Sequence, residues 1–300
     1  MKMKSKRFYF VVGGALLLGA FALSAQEPPP GPLPSPDVLM PGAVIGPRME
    51  ILGFGEVHPG KVVTGAPYSA VAVTDTMQTL ADGNVVNRKI QSNVYRDSQG
   101  RTRKETAWPA TFSRVGPFGG SDQPISMVTI HDPVTSTAYI LNIDEKVAER
   151  LPTPSVGPES TGQLMAAKMQ AHFQKEIANG TLKKEDLGVQ TINGISAQGT
   201  RYTRTIPAGH IGNTKDMTII DEQWYSPDLQ VVVKSVRSDP RFGLTTYNLT
   251  NIQRTVPAAS LFTVPSDYTV RKGGLRGAQV MGGPGAEPAT VPEPNLPPTK

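Results

Sequence analysis

Hydrophobic and polar positions alternate through most of residues 60–271, in short segments that predict β-strands. The first such segment is Ser69–Leu80, where Val71, Val73 and Met77 share one face and polar residues lie largely on the other. Strict alternation is typical of an antiparallel sheet that packs on one face and meets water on the other. We therefore expect the face that carries these three residues to be the packed one.

Turn signals divide the alternating segments and set the order of the strands. Asp82-Gly83-Asn84 separates the first strand from Val85–Arg96, and Asp97–Gly100 leads into Arg101–Trp108, which predicts a three-stranded meander. The same pattern predicts further strands at 125–131, 139–143, 187–192, 195–206, 217–225, 231–237 and 244–254. The pattern therefore predicts a mainly β domain.

One segment, 161–178, has a helical period instead. Met165, Met169, Phe173 and Ile177 recur every four residues, and Asn-Gly follows directly as a stop signal. An amphipathic helix placed between two groups of strands can cross over and cover the open side of their sheet. The predicted fold class is therefore mainly β with one or few helices.

The ends of the chain have a different composition. Residues 1–25 combine four basic residues, a 16-residue uncharged stretch and small residues before a cleavage point after Ala25, which predicts a signal peptide. The stretch is short for a membrane span of about 20 residues, so cleavage is favoured over an uncleaved anchor. Residues 26–59 and 272–300 are rich in proline and glycine and are predicted to be disordered linkers around the domain at 60–271.

Charge and cysteine content narrow the possible functions. Cleavage removes four of the 30 basic residues and leaves 26 against 25 acidic ones, so the net charge of +5 gives no support to a nucleic-acid partner. The basic cluster Arg101, Arg103 and Lys104 is interpreted as a solvated strand face. Without cysteine the chain has no disulfide, no thiolate nucleophile and no lipid-modified cysteine.

The order of strands and several phrases resemble the periplasmic lipoprotein-carrier superfamily, which includes Lol-type carriers and envelope sigma-regulatory proteins. The phrases are Asn193-Gly194-Ile195, Gly199–Tyr202, Glu222–Asp228, Val231–Lys234 and the closing Ser260–Tyr268. The resemblance implies a curved antiparallel sheet, or half-barrel, with a crossing helix around a hydrophobic concavity. It implies no reaction.

Motifs for catalysis, metals or cofactors are not found. The histidines show no HExxH or His-x-His spacing, and no Gly-x-Ser-x-Gly occurs. Asp221 and Glu222 are neighbours in a strand and point to opposite faces, so they do not form a glycosidase pair. No catalytic residue, metal ligand or cofactor is predicted. The four histidines are His58, His131, His172 and His210.

The helix stripe is the remaining functional lead. Met165, Met169 and Phe173 could line a cavity for an acyl chain, since methionine adapts to varied apolar partners, or could simply plug the sheet. The leading hypothesis is a non-enzymatic, exported envelope protein, periplasmic or extracellular, that binds a lipid, a lipidated partner or another hydrophobic ligand. An interaction or scaffold module for envelope proteins is the first alternative, and a secreted hydrolase with a non-local site is the second.

Overall fold

The fold is dominated by strands. A computed structural model describes residues 62–108, 125–151 and 161–272. The predicted signal peptide, the linker at 26–59 and residues 273–300 lie outside these ranges. The strands are β1 Tyr68–Thr79, β2 Val85–Arg96, β3 Thr102–Trp108, β4 Ile125–Asp132, β5 Thr137–Asn142, β6 Val147–Leu151, β7 Leu182–Ile192, β8 Ile195–Ile206, β9 Met217–Ser226, β10 Val231–Asp239, β11 Gly243–Gln253 and β12 Thr269–Lys272. The helix α1 runs over Thr161–Ala178, and a short 3-10 helix covers Ala259–Phe262.

The twelve strands form one open sheet. Their order is β12-β6-β5-β4-β3-β2-β1-β11-β10-β9-β8-β7, so β12 and β7 are its two edges. Neighbouring strands pair antiparallel except at one edge, where β12 pairs parallel to β6. Several sequential antiparallel pairs are joined by tight turns. An example is Asn193-Gly194 between β7 and β8, where both residues have positive φ, as a two-residue hairpin turn requires.

The sheet curls towards one of its faces, which we call the inner face. In a flat sheet, strands three positions apart are separated by about 14 Å. Here the Asn193 side chain, in the turn before β8, donates a hydrogen bond of 2.6 Å to the Leu249 carbonyl oxygen on β11. Arg96 at the end of β2 similarly donates to the Leu229 carbonyl oxygen in the turn before β10. Both contacts require curvature, and the predicted fold class is confirmed.

The main core lies on the inner face, and the packed face of β1 is the opposite of the one predicted. Tyr68, Ala70 and Ala72 are buried, whereas Val71 and Val73 are only half buried on the outer face and Met77 is 45% exposed. The alternation identified the strand correctly, but the larger apolar residues suggested the wrong face. Curvature explains the difference, because small residues fit where the strands converge. The main core comprises Tyr68, Ala70, Ala72, Val94, Ile195, Ala197, Trp224, Leu229, Val231, Val233 and Leu249.

A second core lies on the outer face of β3 to β6 and is covered by the segment that contains the closing phrase. Val264 and Tyr268 of this segment pack against a cluster of Val128, Ile130, Leu141 and Ala148. The segment then continues into β12, and the Thr269 amide donates to the Lys146 carbonyl oxygen. The closing phrase therefore fixes the last part of the described chain across four strands.

The basic cluster on β3 has a structural role, so its interpretation as a solvated face is wrong for two of its members. Arg103 donates to the Leu261 carbonyl oxygen at 3.0 Å and pairs with Glu105 at 2.7 Å. The Arg101 guanidinium lies 5.4 Å from the ring centroid of Phe262, which is buried. Both arginines hold the closing segment, so they are half buried against it.

No helix in the described ranges is long and apolar enough to cross a membrane.

Candidate functional site

The inner face has two halves along the strands. The core half is filled by the main core, while the helix half, which lies towards the β1–β2 turn and α1, carries two rows of polar side chains. Strand register places the members of each row directly opposite one another on adjacent strands. The first row is Thr74, Tyr247, Ser235 and Gln223, and the second is Thr76, Thr245, Arg237 and Asp221. We call these eight residues the polar belt.

Hydroxyl groups dominate the belt on β1, β10 and β11. Thr76 and Thr245 lie with their hydroxyl oxygens 3.5 Å apart, and their strands also place Thr74 opposite Tyr247. These residues are half buried, not enclosed. Ile90 and Val86 on β2 are half buried on the same face, and Ile90 is the partner of Thr74 in the β1–β2 register. Arg88 lies between them on the same face, opposite Thr76, so this part of the inner face combines hydroxyls, apolar side chains and an exposed cationic side chain.

The charges of the belt are paired within it and with two residues beside it, Asp239 and Arg241. Arg237 lies 3.5 Å from Asp221, which is buried and also accepts a hydrogen bond from the Gln223 amide. Arg237 and Arg241 both contact Asp239, at 3.3 and 2.7 Å. Burial opposes ionisation of Asp239, but hydrogen bonds from Arg241 and the two positive charges outweigh it and hold the pKa of Asp239 below its ordinary value. Two carboxylates thus offset two guanidinium groups.

Helix α1 closes the inner face beside β7 and β8. Phe173 is buried with Leu182 and Tyr202, and its ring meets the Tyr202 ring edge to face at a centroid distance of 5.2 Å. Ile177 packs against the same cluster. Burial and the negative charge of nearby Asp221 raise the pKa of Tyr202 to about 12, so its phenol stays neutral.

A buried ion pair also ties α1 to the sheet. Glu176 accepts two hydrogen bonds from Arg204 on β8, each 2.6 Å long, and the two side chains are only 10% and 2% exposed. Within the described part of the chain, the Arg204 Nε atom is buried without a hydrogen-bond partner. His172, one turn earlier and 57% exposed, lies 3.6 Å from Glu176. Glu176 lies off the apolar stripe of the helical pattern, so the sequence did not indicate that it would be buried. The four-residue spacing of His172 and Glu176 indicated only the contact between these two side chains.

Of the three ligand-contact residues predicted on α1, the structure describes the side chain of Phe173 alone. The backbone of Met165 and Met169 belongs to α1, but their side chains lie outside the described residues. Phe173 contacts protein side chains on β7 and β8. The polar belt was not predicted as a unit, because its members are scattered over four strands and only their register brings them together.

The histidines and carboxylates of the described ranges do not converge. No group of three or more metal-ligating side chains is found there. His131 and His172 lie on β4 and α1, His210 follows β8, and His58 lies outside the described residues. Asp221 faces inward, whereas Glu222 on the outer face pairs with Arg201 at 2.7 Å, so the two acids point apart as expected.

Several solved structures are similar in fold. A MucA/MucB complex from Pseudomonas aeruginosa matches with 10% identity over 69% of this chain and a TM-score of 0.35. A LolA superfamily protein from Nitrosomonas europaea matches with 8% identity over 68% of this chain and 94% of its own, with a TM-score of 0.29. The lipoprotein LppX of Mycobacterium tuberculosis matches with 14% identity over 64% of this chain and 90% of its own, with a TM-score of 0.28.

The superfamily that the strand pattern resembles is thus represented among these structures. This chain spans 58% of the length of the chain that it matches in the MucA/MucB complex. No family model and no curated protein matches the sequence. Because the identities lie far below 25%, the likeness concerns the fold, and a ligand has to be inferred from the residues of this chain.

Proposed function

We propose that this chain is a non-enzymatic, exported protein of the cell envelope that binds a lipid, a lipidated partner or another hydrophobic ligand on the inner face of its sheet. One observation carries the proposal. The core half of the inner face is filled by buried side chains, whereas the helix half is lined by half-buried residues such as Ile90, Thr74 and Tyr247. A ligand on this half would extend the core along a surface that already curves around it.

The apolar part of the ligand has suitable neighbours. Ile90 and Val86 lie on the inner face of β2 with Arg88 between them, and the Tyr247 ring packs against the margin of the main core. Burial of a methylene group against such residues contributes about 0.8 kcal/mol, so a chain of several methylenes gives useful affinity. Met165 and Met169 remain proposed contacts, while Phe173 supports the helix that forms the wall.

The carboxylates of this face favour binding over catalysis. Asp221 and Asp239 are each held by arginine, and Asp239 has a lowered pKa. A general acid needs a pKa near the working pH, which requires the opposite shift. The paired acids are therefore interpreted as structural.

Two neighbouring residues provide a direct test of the binding face. Ile90 faces inward and Gln91 faces outward, where it is exposed. The protein would be purified from its own envelope fraction, extracted with organic solvent and analysed by mass spectrometry. We expect an acyl-chain compound with the wild type and with Gln91→Glu, and its loss with Ile90→Glu. Ligand-free wild-type protein would overturn the proposal.

An interaction module is the second candidate, and the position of β7 at the edge of the described sheet favours it. β7 is an edge strand, and Val189 near its end is 71% exposed. Exposed edges can pair with a strand of another protein. This candidate predicts that a chain without residues 26–59 and 273–300 folds but no longer captures envelope proteins, and unchanged capture would count against the role of the tails.

A further inference from the structure

Arg88 is a cationic side chain on the helix half of the inner face that makes no ion pair within the described ranges. It lies on β2 directly opposite Thr76, between Ile90 and Val86, and it is exposed. An arginine side chain stays charged at neutral pH, and its planar fork of N–H donors matches the oxygens of a carboxylate or a phosphate. Arg88 therefore offers an anion-binding group beside the polar belt that the fold itself does not use.

The charges of the belt itself leave a positive excess once Arg88 is counted. Arg237 contacts both Asp221 and Asp239, and Arg241 also contacts Asp239. Two guanidinium groups thus meet two carboxylates, and Arg88 adds a third positive charge without a carboxylate of its own. An anionic head group would restore the balance on this part of the face, whereas a cationic one would be repelled.

Other cations of the inner face lie away from this position or are engaged. Arg204 is paired with Glu176, and Arg96 is buried and donates to two backbone carbonyl oxygens in the core half. Lys104 on β3 lies opposite a residue of the main core. Lys184 is exposed on the edge strand β7, five strand positions from β1. Arg88 is therefore the cation that a ligand between β2 and the belt would meet.

Hydroxyl groups and apolar side chains surround Arg88 on the same face. Thr76 is its cross-strand partner, and the Thr76 and Thr245 hydroxyl oxygens lie 3.5 Å apart. Residues directly opposite one another have Cβ atoms about 4.5–5.5 Å apart, so one head group can contact Arg88 and Thr76 together. Ile90 lies on the side of Arg88 that leads along β2 to Val94 of the main core. The ligand that fits is therefore amphiphilic, with its apolar chain running from Arg88 over Ile90.

We propose that the ligand is an amphiphile with an anionic head group, a carboxylate or a phosphate, and that Arg88 binds this head group together with the Thr76 hydroxyl. The inference rests on the proposed function, since it specifies the ligand of the same face. Arg88 selects the charge of the head group, while Ile90 and its apolar neighbours hold the chain.

Four probes separate the contribution of the head group from that of the chain. Dodecanoate is anionic, dodecyl maltoside is neutral and dodecyltrimethylammonium is cationic, and all three carry the same twelve-carbon chain. Acetate has the carboxylate without the chain. Each would be titrated into the full chain by isothermal calorimetry, with the amphiphiles below their micellar concentrations. We expect dodecanoate to bind at least about 10-fold more tightly than the other three probes, and its advantage to shrink at high salt, which screens the charge of Arg88.

Adjacent cations on opposite faces of β2 supply matched variants. Arg88→Gln removes the inner charge and is expected to weaken dodecanoate binding about 10-fold, as for loss of one charge-assisted hydrogen bond, while dodecyl maltoside binding stays unchanged. Lys89→Gln removes an exposed cation on the outer face, where Lys89 lies 4.0 Å from Asp75, and is expected to leave dodecanoate binding unchanged. Arg88→Glu should reverse the preference, so that the cationic probe binds more tightly than dodecanoate. Circular dichroism and melting curves would verify that each variant folds.

The possible failures are distinguishable. Equal or tighter binding of the neutral or the cationic probe, or equal losses in Arg88→Gln and Lys89→Gln, would refute the head-group inference while leaving the proposed function intact. An uncharged or cationic head group on the compound extracted from the native protein would refute it in the same way, even if no probe binds. Acetate binding as tight as that of dodecanoate would show an anion site without an apolar part and would also overturn the inference. If no probe binds and the native protein yields no extracted ligand, the proposed function fails and the inference fails with it.

Discussion

The pair of Glu176 and Arg204 offers the sharpest test of how α1 is held on the sheet. Both side chains are almost fully buried, and two hydrogen bonds of 2.6 Å join them. Replacing one partner leaves an uncompensated buried charge, which costs about 3–5 kcal/mol. Such a loss is a large part of the 5–15 kcal/mol by which domains are typically stable, on the order of one third.

The perturbation is Arg204→Met, which keeps the length of the side chain and removes its charge. With a urea m-value of about 2 kcal/mol/M, a loss of about 3 kcal/mol lowers the unfolding midpoint by about 1.5 M. Urea titration followed by circular dichroism measures this shift. The double variant Glu176→Leu/Arg204→Met removes both charges and is expected to recover most of the loss, because apolar replacements of buried pairs are often neutral.

An exposed pair gives the control. Arg254 and Asp228 lie 2.9 Å apart with side chains 54% and 60% exposed, so Asp228→Asn should change the free energy of unfolding by about 1 kcal/mol or less. A loss of under about 1 kcal/mol for Arg204→Met, or no recovery in the double variant, would refute the reasoning that burial makes the Glu176–Arg204 pair different.

Three further predictions concern the cores and the carboxylate of Asp239 beside the belt. Gly199→Ala should destabilise the protein by about 1–3 kcal/mol in urea titration, because a Cβ atom there would stand only 2.6 Å from the Trp224 ring; an unchanged midpoint would show that the ring moves freely. Phe262→Ala should cost about 3–5 kcal/mol and speed proteolysis of the closing segment, since Phe262 is buried under Arg101; wild-type protease resistance would contradict this role. The lowered pKa of Asp239 contributes stability that is present above its unfolded value of about 4 and is lost as the pH falls through the lower folded value. Asp239→Asn should therefore flatten the acid limb of a plot of unfolding free energy against pH below about pH 5, and an equally steep limb would exclude this carboxylate as a source.

The sequence predicts the bounds of individual strands and helices in this protein better than it predicts which face of a strand is packed. The strand at Val85–Arg96 and the helix at 161–178 were predicted with the bounds found, because turn residues and periodicity are local signals. The packed face of β1 was predicted wrongly, since alternation alone does not show whether Val71 or Ala72 meets the core. Curvature of the whole sheet decides that question.

The candidate site could be predicted only in part for a related reason. Thr76 and Thr245 are far apart in sequence, and each is an ordinary strand residue until register places them together. Glu176 is similar, since its burial depends on Arg204 reaching it from β8. The closing phrase at Ser260–Tyr268 was recognisable as a unit, but its partners Arg101 and Arg103 gave no sign of this role in their own pattern.

The position of β1 has a consequence for how the chain reaches its native state. β1 lies in the middle of the sheet between β2 and β11, and Val71 pairs with Thr250. The first of the described strands to be synthesised can therefore pair fully only after nearly the last one has been made. Contacts of such large sequence separation slow folding, because the intervening loop must close before they form. The polypeptide therefore assembles its centre late, and a version that stops before β11 would leave unpaired the side of β1 that β11 covers and the facing side of β10. During biogenesis this interval is when a chaperone or a protease would have access to it.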